Sequence, residues 1–577
     1  MEFDVQPKQW SQFAALSQRA AGLMMRLINR AALSALSQDF NINDVQTIWT
    51  AYARTWARLA TSPEVFLPVQ AAALNAMSDF FSGKFGGPDR RFRDKKWEAD
   101  PIARTLRDSH IALEKLIEAS LKALPEGSKD HLRVQFYTRQ IISALSPSNF
   151  FALNPSARER LLESEGQSLL DGFENLLDDL EKGDGRLDIT TNNPEAFTVG
   201  KDLANTPGKV VYQTDLMQLI QYEPRTKQQW KTPILLVPAW INKYYIFDLR
   251  EENSFVRYLL DQGHTVFVIS WVNPDKHHAE KDFSDYMSEG PLAAMDAIEK
   301  ATGEKQVNVI GFCIGGILVT ATAAYLAATG QDRMASATTL ATMIDFREVG
   351  EIGVFIDQDR VAALREHMAD KGYLENYHLQ DMFSMIREND MVWSYHVNNY
   401  LMGRKPPAFD LLFWNSDSTR LPAKMLLWYL EEIYIKNSLR EDGGLELRGV
   451  PISVSQIKTP FFVLATKEDH IAPWKSVYPT TQIVPDATFV LGGSGHIAGV
   501  INPPQGKVKY GYWVLEEYPE NPEDWLKQAS PAAGSWWPYW QEWLAAHTPQ
   551  EKVPARKPGA KGLKALEDAP GSYVLSK

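Results

Sequence analysis

The stretch Gln306-Val307-Asn308-Val309-Ile310-Gly311-Phe312-Cys313-Ile314-Gly315-Gly316 decides how this chain folds. Its first half clusters β-branched and apolar residues as a buried β-strand does, and it runs straight into Gly-x-Cys-x-Gly-Gly. An apolar, Ala- and Thr-rich segment of helical composition follows, from Ile317 to Ala328. Strand, pinched turn and helix together make a nucleophile elbow, which lifts one reactive side chain to the top of a sheet. Gly311 and Gly315 are required there because the turn brings backbones too close for side chains. The lifted residue is Cys313, the only cysteine in 577 residues. At a helix N-terminus its thiol meets the positive end of the dipole and free N–H groups, which favour a thiolate. A lone cysteine is often just a small core hydrophobe. The glycines on both sides and the preceding strand point instead to a nucleophile.

Working outward, Val210–Tyr212 and Met217–Tyr222 suggest a hairpin, and Pro233–Pro238 and Thr265–Trp271 read as buried strands. Ala337–Ile344, Pro460–Ala465 and Ala487–Leu491 complete the set. Segments long enough for helices separate several of them, which implies a mostly parallel sheet with helices on both faces. Upstream, residues 1–185 form an expected helical domain: Trp10–Leu36, Ile102–Leu124 and Leu161–Leu180 carry helical spacing, with a break at Phe80–Pro88. The remainder, 186–577, is the expected catalytic domain. Within it, about 345–454 breaks the strand–helix alternation and is dense in aromatics, among them Trp393, Trp414, Trp428, Tyr429 and Tyr434. An insertion of this size between two strands reads as a cap over the site. From about residue 549 the chain turns Lys-, Pro- and Gly-rich and is expected to be flexible.

A base and an acid follow in chain order. After the 460–465 strand comes Thr466-Lys467-Glu468-Asp469-His470, and after the 487–491 strand comes Gly492-Gly493-Ser494-Gly495-His496. Nucleophile, acid and histidine, each on a loop after a strand, is the order of the α/β-hydrolase fold. His496 takes and returns the thiol proton, since its side chain titrates near neutrality. Asp469 orients the imidazole. His470 competes with His496 and Glu468 with Asp469, but His470 directly follows the acid and lacks a glycine-rich loop of its own. The oxyanion needs two backbone donors: the amide of Ile314 after the nucleophile, and one from the Pro238–Asn242 loop, Ile241 or Trp240. The other histidines show no metal-ligand spacing, and with a single cysteine a thiolate zinc site is excluded. No metal or other cofactor is expected.

Composition narrows the class. Hydrophobic residues at 44% and charged residues at 23% suit a globular protein with a large core. A net charge of −12 argues against a nucleic-acid partner. One cysteine fits a reducing compartment, and the absence of a basic-then-apolar leader or a long apolar run argues for a cytoplasmic protein with no membrane span. The 17 Trp, 21 Tyr and 26 Phe suggest an apolar ligand or surface.

Several of these stretches carry a resemblance. Gly311–Gly316, Ile241–Leu249, Ser270–Asp275, Phe413–Pro422, Glu468–Trp474, Ser494–Pro504, Gly534–Pro538 and Pro570–Val574 are similar to polyhydroxyalkanoate synthases, most nearly the class I, single-subunit enzymes. The likeness runs from about residue 90 to the C-terminus. It departs at Ala239-Trp240, where many members have another proline, and over the first 80 or so residues. The resemblance implies polymerisation of (R)-3-hydroxyacyl-CoA, such as 3-hydroxybutyryl-CoA, into polyester with release of CoA. It implies that Cys313 carries the chain as a thioester, that His496 activates the thiol, and that Asp469 with His496 deprotonates the incoming 3-hydroxyl. It further implies a homodimer at the surface of a polyester granule, both roles falling to the helical N-terminal region. Residue chemistry alone reaches a cysteine acyltransferase or hydrolase. The rivals are a thioesterase or polyester depolymerase on the same fold, and a binding protein that uses only its amphipathic helices.

Overall fold

The computed structural model describes residues 6–34, 45–82, 89–122, 129–505, 510–560 and 562–577. Most of the expected Phe80–Pro88 break, and the last residues of two expected helices at 35–36 and 123–124, lie outside them. The chain divides into two compact units. One joins Met1–Asn193 with Gly353–Phe355 and Asp381–Ala408, and the other holds the rest.

The larger unit is built on one 11-stranded sheet. In chain order its strands are β1 Gly208–Gln213, β2 Met217–Tyr222, β3 Ile234–Val237, β4 Val266–Trp271, β5 Val307–Phe312, β6 Met334–Leu340, β7 Phe461–Thr466, β8 Ala487–Gly492, β9 Tyr512–Val514, β10 Ser530–Ala532 and β11 Glu567–Asp568. In space they run β10-β9-β8-β7-β6-β5-β3-β4-β2-β1-β11. The six from β8 to β4 are parallel, and antiparallel strands extend both edges.

Near-continuous apolar strands such as Val-Phe-Val-Ile are what a sheet covered on both faces selects. Residues alternate between the two faces: Leu235, Val237, Val309 and Val463 enter one core, while Ile234, Leu236, Ile310 and Leu464 enter the other. Helix Ile314–Ala328 fills the first core and is buried nearly all round. Its Thr320 and Thr322 hydroxyls donate back to the carbonyls of Gly316 and Leu318, at 2.9 and 2.6 Å, so neither buried hydroxyl goes unmatched. Helix Trp536–His547 covers the second core with four buried indoles.

Three expectations change. The strand expected at Ala337–Ile344 is Met334–Leu340, because Ala341 takes a left-handed φ of 49° and turns the chain off the sheet. The tail expected to be flexible from about 549 is tied down. Lys552–Pro554 pairs with Gln228–Trp230, β11 pairs with β1, and Arg556 donates to the carbonyl of Lys231 at 2.8 Å and meets Glu304 at 3.0 Å. A Lys/Pro/Gly composition concealed edge pairing, which uses backbone groups rather than side chains. Finally, the insertion between β6 and β7 is shared between the compact units, with Asp381–Ala408 grouped with the N-terminal helices.

The smaller unit is helical, as expected, from Pro7–Ser34 through Gln167–Lys182. The first of these helices packs Leu16 and Leu23 on Leu177 of the last, and Arg19 bridges Asp178 and Glu181 at 2.7 and 2.8 Å. Buried Glu388 accepts from Ser143 and Gln140 at 2.9 and 3.2 Å, and buried Asp179 accepts the Tyr400 hydroxyl at 2.6 Å. These bonds fix the Asp381–Ala408 segment in the helical unit.

Candidate active site

Cys313 sits between β5 and helix Ile314–Ala328 with φ 55° and ψ −124°, a left-handed conformation unusual for a residue with a side chain. The turn survives because its neighbours are glycines. A Cβ on Gly315 would lie 2.3 Å from the Val237 carbonyl oxygen, and one on Gly316 would lie 2.0 Å from Thr342 Oγ1. Thr342 in turn donates to the Cys313 carbonyl at 3.0 Å, and the Cys313 amide donates to Leu340 at 2.9 Å. Backbone strain of this kind is held only where surrounding structure over-determines it. The thiol itself is half-buried.

The loops after β7 and β8 bring the acid and the base together. Lys467 and Glu468 amides donate to the carbonyls of Gly492 and Ser494 at 2.9 Å each, locking one loop to the other. Asp469 Oδ2 then lies 2.7 Å from His496 Nδ1 and accepts from Thr466 Oγ1 at 3.1 Å. Its Oδ1 accepts the amides of Ile471 and Ala472, both at 2.8 Å. A carboxylate so bonded is fixed in the orientation that leaves His496 Nε2 for Cys313. Burial alone would lower the imidazole's pKa, but the Asp469 carboxylate and the adjacent Cys313 outweigh it and hold His496 well above its ordinary value. The structure also separates the competitors: His470 and Glu468 are exposed, whereas Asp469 is buried. Asp345, beyond the adjacent strand β6, is another buried acid, but it is occupied by Arg347, Arg440 and Asn437 at 2.6, 3.0 and 3.0 Å.

The three oxyanion candidates also fall around the elbow. Ile314 opens the helix; the Gly316 and Ile317 amides turn back to the Cys313 carbonyl at 2.9 and 3.3 Å, while the Ile314 amide precedes the first helical bond. Trp240 and Ile241 lie on the loop that starts at Pro238, whose carbonyl a Cβ on Gly315 would strike at 2.7 Å. The Trp240 indole is buried against Phe283, Tyr286 and Tyr429. Its role is therefore packing, and only its backbone is a candidate donor.

Reading the sequence identified the loop but missed what holds it. Trp271 Nε1 donates to the Pro238 carbonyl at 2.8 Å. From the insertion, Thr419 Oγ1 donates to the Trp240 carbonyl at 2.8 Å and the Thr419 amide to the Ile241 carbonyl at 3.1 Å. Trp414 Nε1 donates to the Lys243 carbonyl at 2.7 Å, and Asp417 receives both Lys243 Nζ and the Tyr245 hydroxyl at 2.8 Å. Residues 414–419 thus form a strap across residues 240–245. These residues lie within the Phe413–Pro422 motif, but only coordinates reveal a contact spanning so much sequence. The insertion also supplies Tyr429, buried, and Tyr434, half-buried, whose hydroxyl pKa values are raised by desolvation and further by the nearby Cys313. Two phenols therefore stand near the thiol.

Strand order and elbow together define an enzyme of the α/β-hydrolase fold, and the corresponding family model matches residues 232–503. A second model, the N-terminus of poly-beta-hydroxybutyrate polymerase (PhaC), matches residues 88–259. A poly(3-hydroxyalkanoate) polymerase of Methylorubrum extorquens is 41% identical, covering 100% of this chain and 98% of its own. The polymerase subunit of Cupriavidus necator is 40% identical over 85% of this chain and 83% of its own. The chain belongs to the poly(3-hydroxyalkanoate) polymerase family, enzymes that join hydroxyacyl units into polyester. Among solved structures, a thioesterase domain from the curacin biosynthetic pathway aligns with a TM-score of 0.30 at 9% identity, covering 51% of this chain and 94% of that one. The fold assignment rests on the strand order and the family model. Among the described residues no helix is long and apolar enough to cross a membrane.

Proposed function

We propose that this enzyme elongates polyester from (R)-3-hydroxyacyl-CoA through a covalent thioester on Cys313. The observation that carries the reading is the 2.7 Å Asp469–His496 bond, aimed so that the imidazole faces the cysteine of the elbow. His496 Nε2 takes the thiol proton, and the sulfur attacks the CoA thioester carbonyl. The developing oxyanion is met by the amide of Ile314 and one from Ile241 or Trp240. The carbonyl re-forms, the bond to the CoA sulfur breaks, and His496 returns its proton to CoA. In the second half, His496 takes the proton of the incoming unit's 3-hydroxyl, with Asp469 stabilising the imidazolium. The alkoxide oxygen attacks the Cys313 thioester, forming the new ester and freeing the thiol. The lengthened chain, now on CoA, acylates Cys313 again and CoA departs.

Hydroxyl rather than water wins because the aromatic insertion excludes water from the acyl-enzyme. These steps use a thiol, an imidazole, a carboxylate and backbone amides, and call on no cofactor. We further assign short-chain 3-hydroxybutyryl-CoA as substrate, a homodimer as the working form, and the surface of a cytoplasmic polyester granule as its place, with the exposed apolar side chains of the N-terminal helices as the attachment surface.

Purified protein incubated with (R)-3-hydroxybutyryl-CoA should release free thiol while turbidity rises, and Cys313→Ala should abolish both. Thiol release with only soluble 3-hydroxybutyrate would instead make the enzyme a thioesterase, and the water-excluding role of the insertion would fall.

A further inference from the structure

We propose that His367, Glu375 and His378 form a binding site for a divalent transition metal, of which zinc fits the donors best. The sequence reading found no metal-ligand spacing among these histidines, because His-x7-Glu-x2-His matches no short motif. The fold supplies the proximity. His367 ends the helix Gln358–Met368, Glu375 precedes the helix Asn376–Ile386, and His378 lies in that helix's first turn. One ligand atom from each falls within 4.8 Å of the other two. His367 Nε2 is 3.3 Å, and His378 Nε2 3.9 Å, from the same carboxylate oxygen, Glu375 Oε2.

Two further features fit a metal. The site is enclosed, with side-chain exposures of 14%, 19% and 8% for His367, Glu375 and His378, so an ion would be bound by protein rather than by bulk water. Lys371 bonds the other carboxylate oxygen, Oε1, leaving Oε2 directed at both imidazoles. That division of labour is the one found around metal ligands, where an outer partner holds one oxygen and orients the other. Two imidazoles and a carboxylate are a borderline donor set that suits zinc and its neighbours over magnesium or calcium. Donor separations must contract toward roughly 3.3 Å for bonds of about 2.0–2.1 Å. His367 and Glu375 already meet that. The fourth position falls to water.

The location gives the site a purpose. Between His367 and Glu375 runs Tyr373–Leu374, which pairs with Leu421–Pro422, directly beyond Thr419 of the strap. An ion here would cross-link the two helix ends and stiffen the support of residues 240 and 241.

The test uses the full chain as Cys313→Ser, since the thiolate–imidazole pair could itself capture zinc. Chelator-treated protein is titrated with Zn2+ in competition with a chromophoric chelator. One saturable equivalent is expected, with affinity falling at least about tenfold in His367→Gln, in His378→Gln and in Glu375→Gln. The same variants should lose the rise in unfolding temperature that Zn2+ gives the parent. An unchanged affinity in both histidine variants, or no saturable site in the parent, overturns the proposal. Should a variant fail to fold, Co2+ added to the parent decides alone. Intense visible d–d bands of four- or five-coordinate cobalt support the site, and only the weak bands of hydrated cobalt refute it.

Discussion

Two sets of tryptophans, one in each compact unit, meet opposite fates. In the sheet unit, Trp536, Trp537 and Trp540 are 1%, 1% and 0% exposed. Their indole N–H groups donate to the Val500 carbonyl at 3.2 and 3.0 Å and to Thr338 Oγ1 at 3.0 Å. In the helical unit, Trp10, Trp49 and Trp56 are 60%, 69% and 68% exposed. Trp49 and Trp56 stand seven residues apart, two turns of one helix, and so share a face. An indole with a fixed acceptor is part of the fold. An indole on an open helical face contributes little to folding and is available to an apolar surface. These side chains follow different rules: the sheet unit holds its buried indoles and the Asp469–His496 pair with fixed partners, and the helical unit leaves these three indoles outward.

The most severe test of the first rule is Asp469→Asn. The amide cannot hold the imidazole as an anion does, and activity should fall on the order of 10³–10⁴-fold, the scale seen when a triad acid is neutralised. A pH signature accompanies it. Because His496 is held above its ordinary value, the folded chain binds that proton more tightly than the unfolded chain does. The resulting stability is complete below the unfolded value of about 6.5 and is lost as pH rises through the folded value. Unfolding temperature measured from about pH 6 to pH 9 should fall less steeply in Asp469→Asn than in the parent. Equal slopes would mean the pair does not set the imidazole's titration.

Next in size is Trp537→Ala, a buried indole lost from the second core together with its bond to Val500. A cost of about 3–5 kcal/mol is expected in denaturant unfolding. A cost near that of an exposed residue would erase the contrast between the units.

Much of the sheet unit was legible because its signals are local. A run such as Val-Phe-Val-Ile announces a covered parallel strand, and a glycine on each side of Cys313 announces the elbow. The Asp469 and His496 loops could be found because each follows such a strand. What stayed hidden depends on distant backbone. The β11 pairing of Glu567–Asp568 has no hydrophobic alternation, and the strap binds carbonyls, which carry no sequence identity. Nor could composition reveal that residues 381–408 group with the N-terminal helices, since that follows from single buried acids, Asp179 and Glu388, each meeting partners far along the chain.

The strap yields an intermediate effect. In Asp417→Asn the Lys243 ammonium, whose side chain is 5% exposed, loses its counter-charge, and the Tyr245 hydroxyl meets a weaker acceptor. Residues 240 and 241 then lose part of their support, so kcat should fall by about 10–100-fold with a smaller change in KM. Thr419→Ser keeps the hydroxyl and should restore most of the rate that Thr419→Val loses. A change confined to KM would move the strap's role from the oxyanion to substrate binding.

The smallest expected effect tests the other side of the comparison. Replacing Trp49 and Trp56 together by serine removes two exposed indoles from the helix Val45–Thr61. Each change should alter stability by no more than about 0.5 kcal/mol, because little buried area is lost. Thiol release from soluble substrate should match the parent, since neither residue lies in the unit that carries Cys313. Adsorption to preformed polyester particles, measured by sedimentation, should weaken. If adsorption is unchanged while the unfolding temperature drops, the indoles are buried in the working assembly, and the face they share is an interface between copies of the chain. If adsorption alone weakens, apolar area left outward by the helical unit holds the sheet unit beside the product it makes.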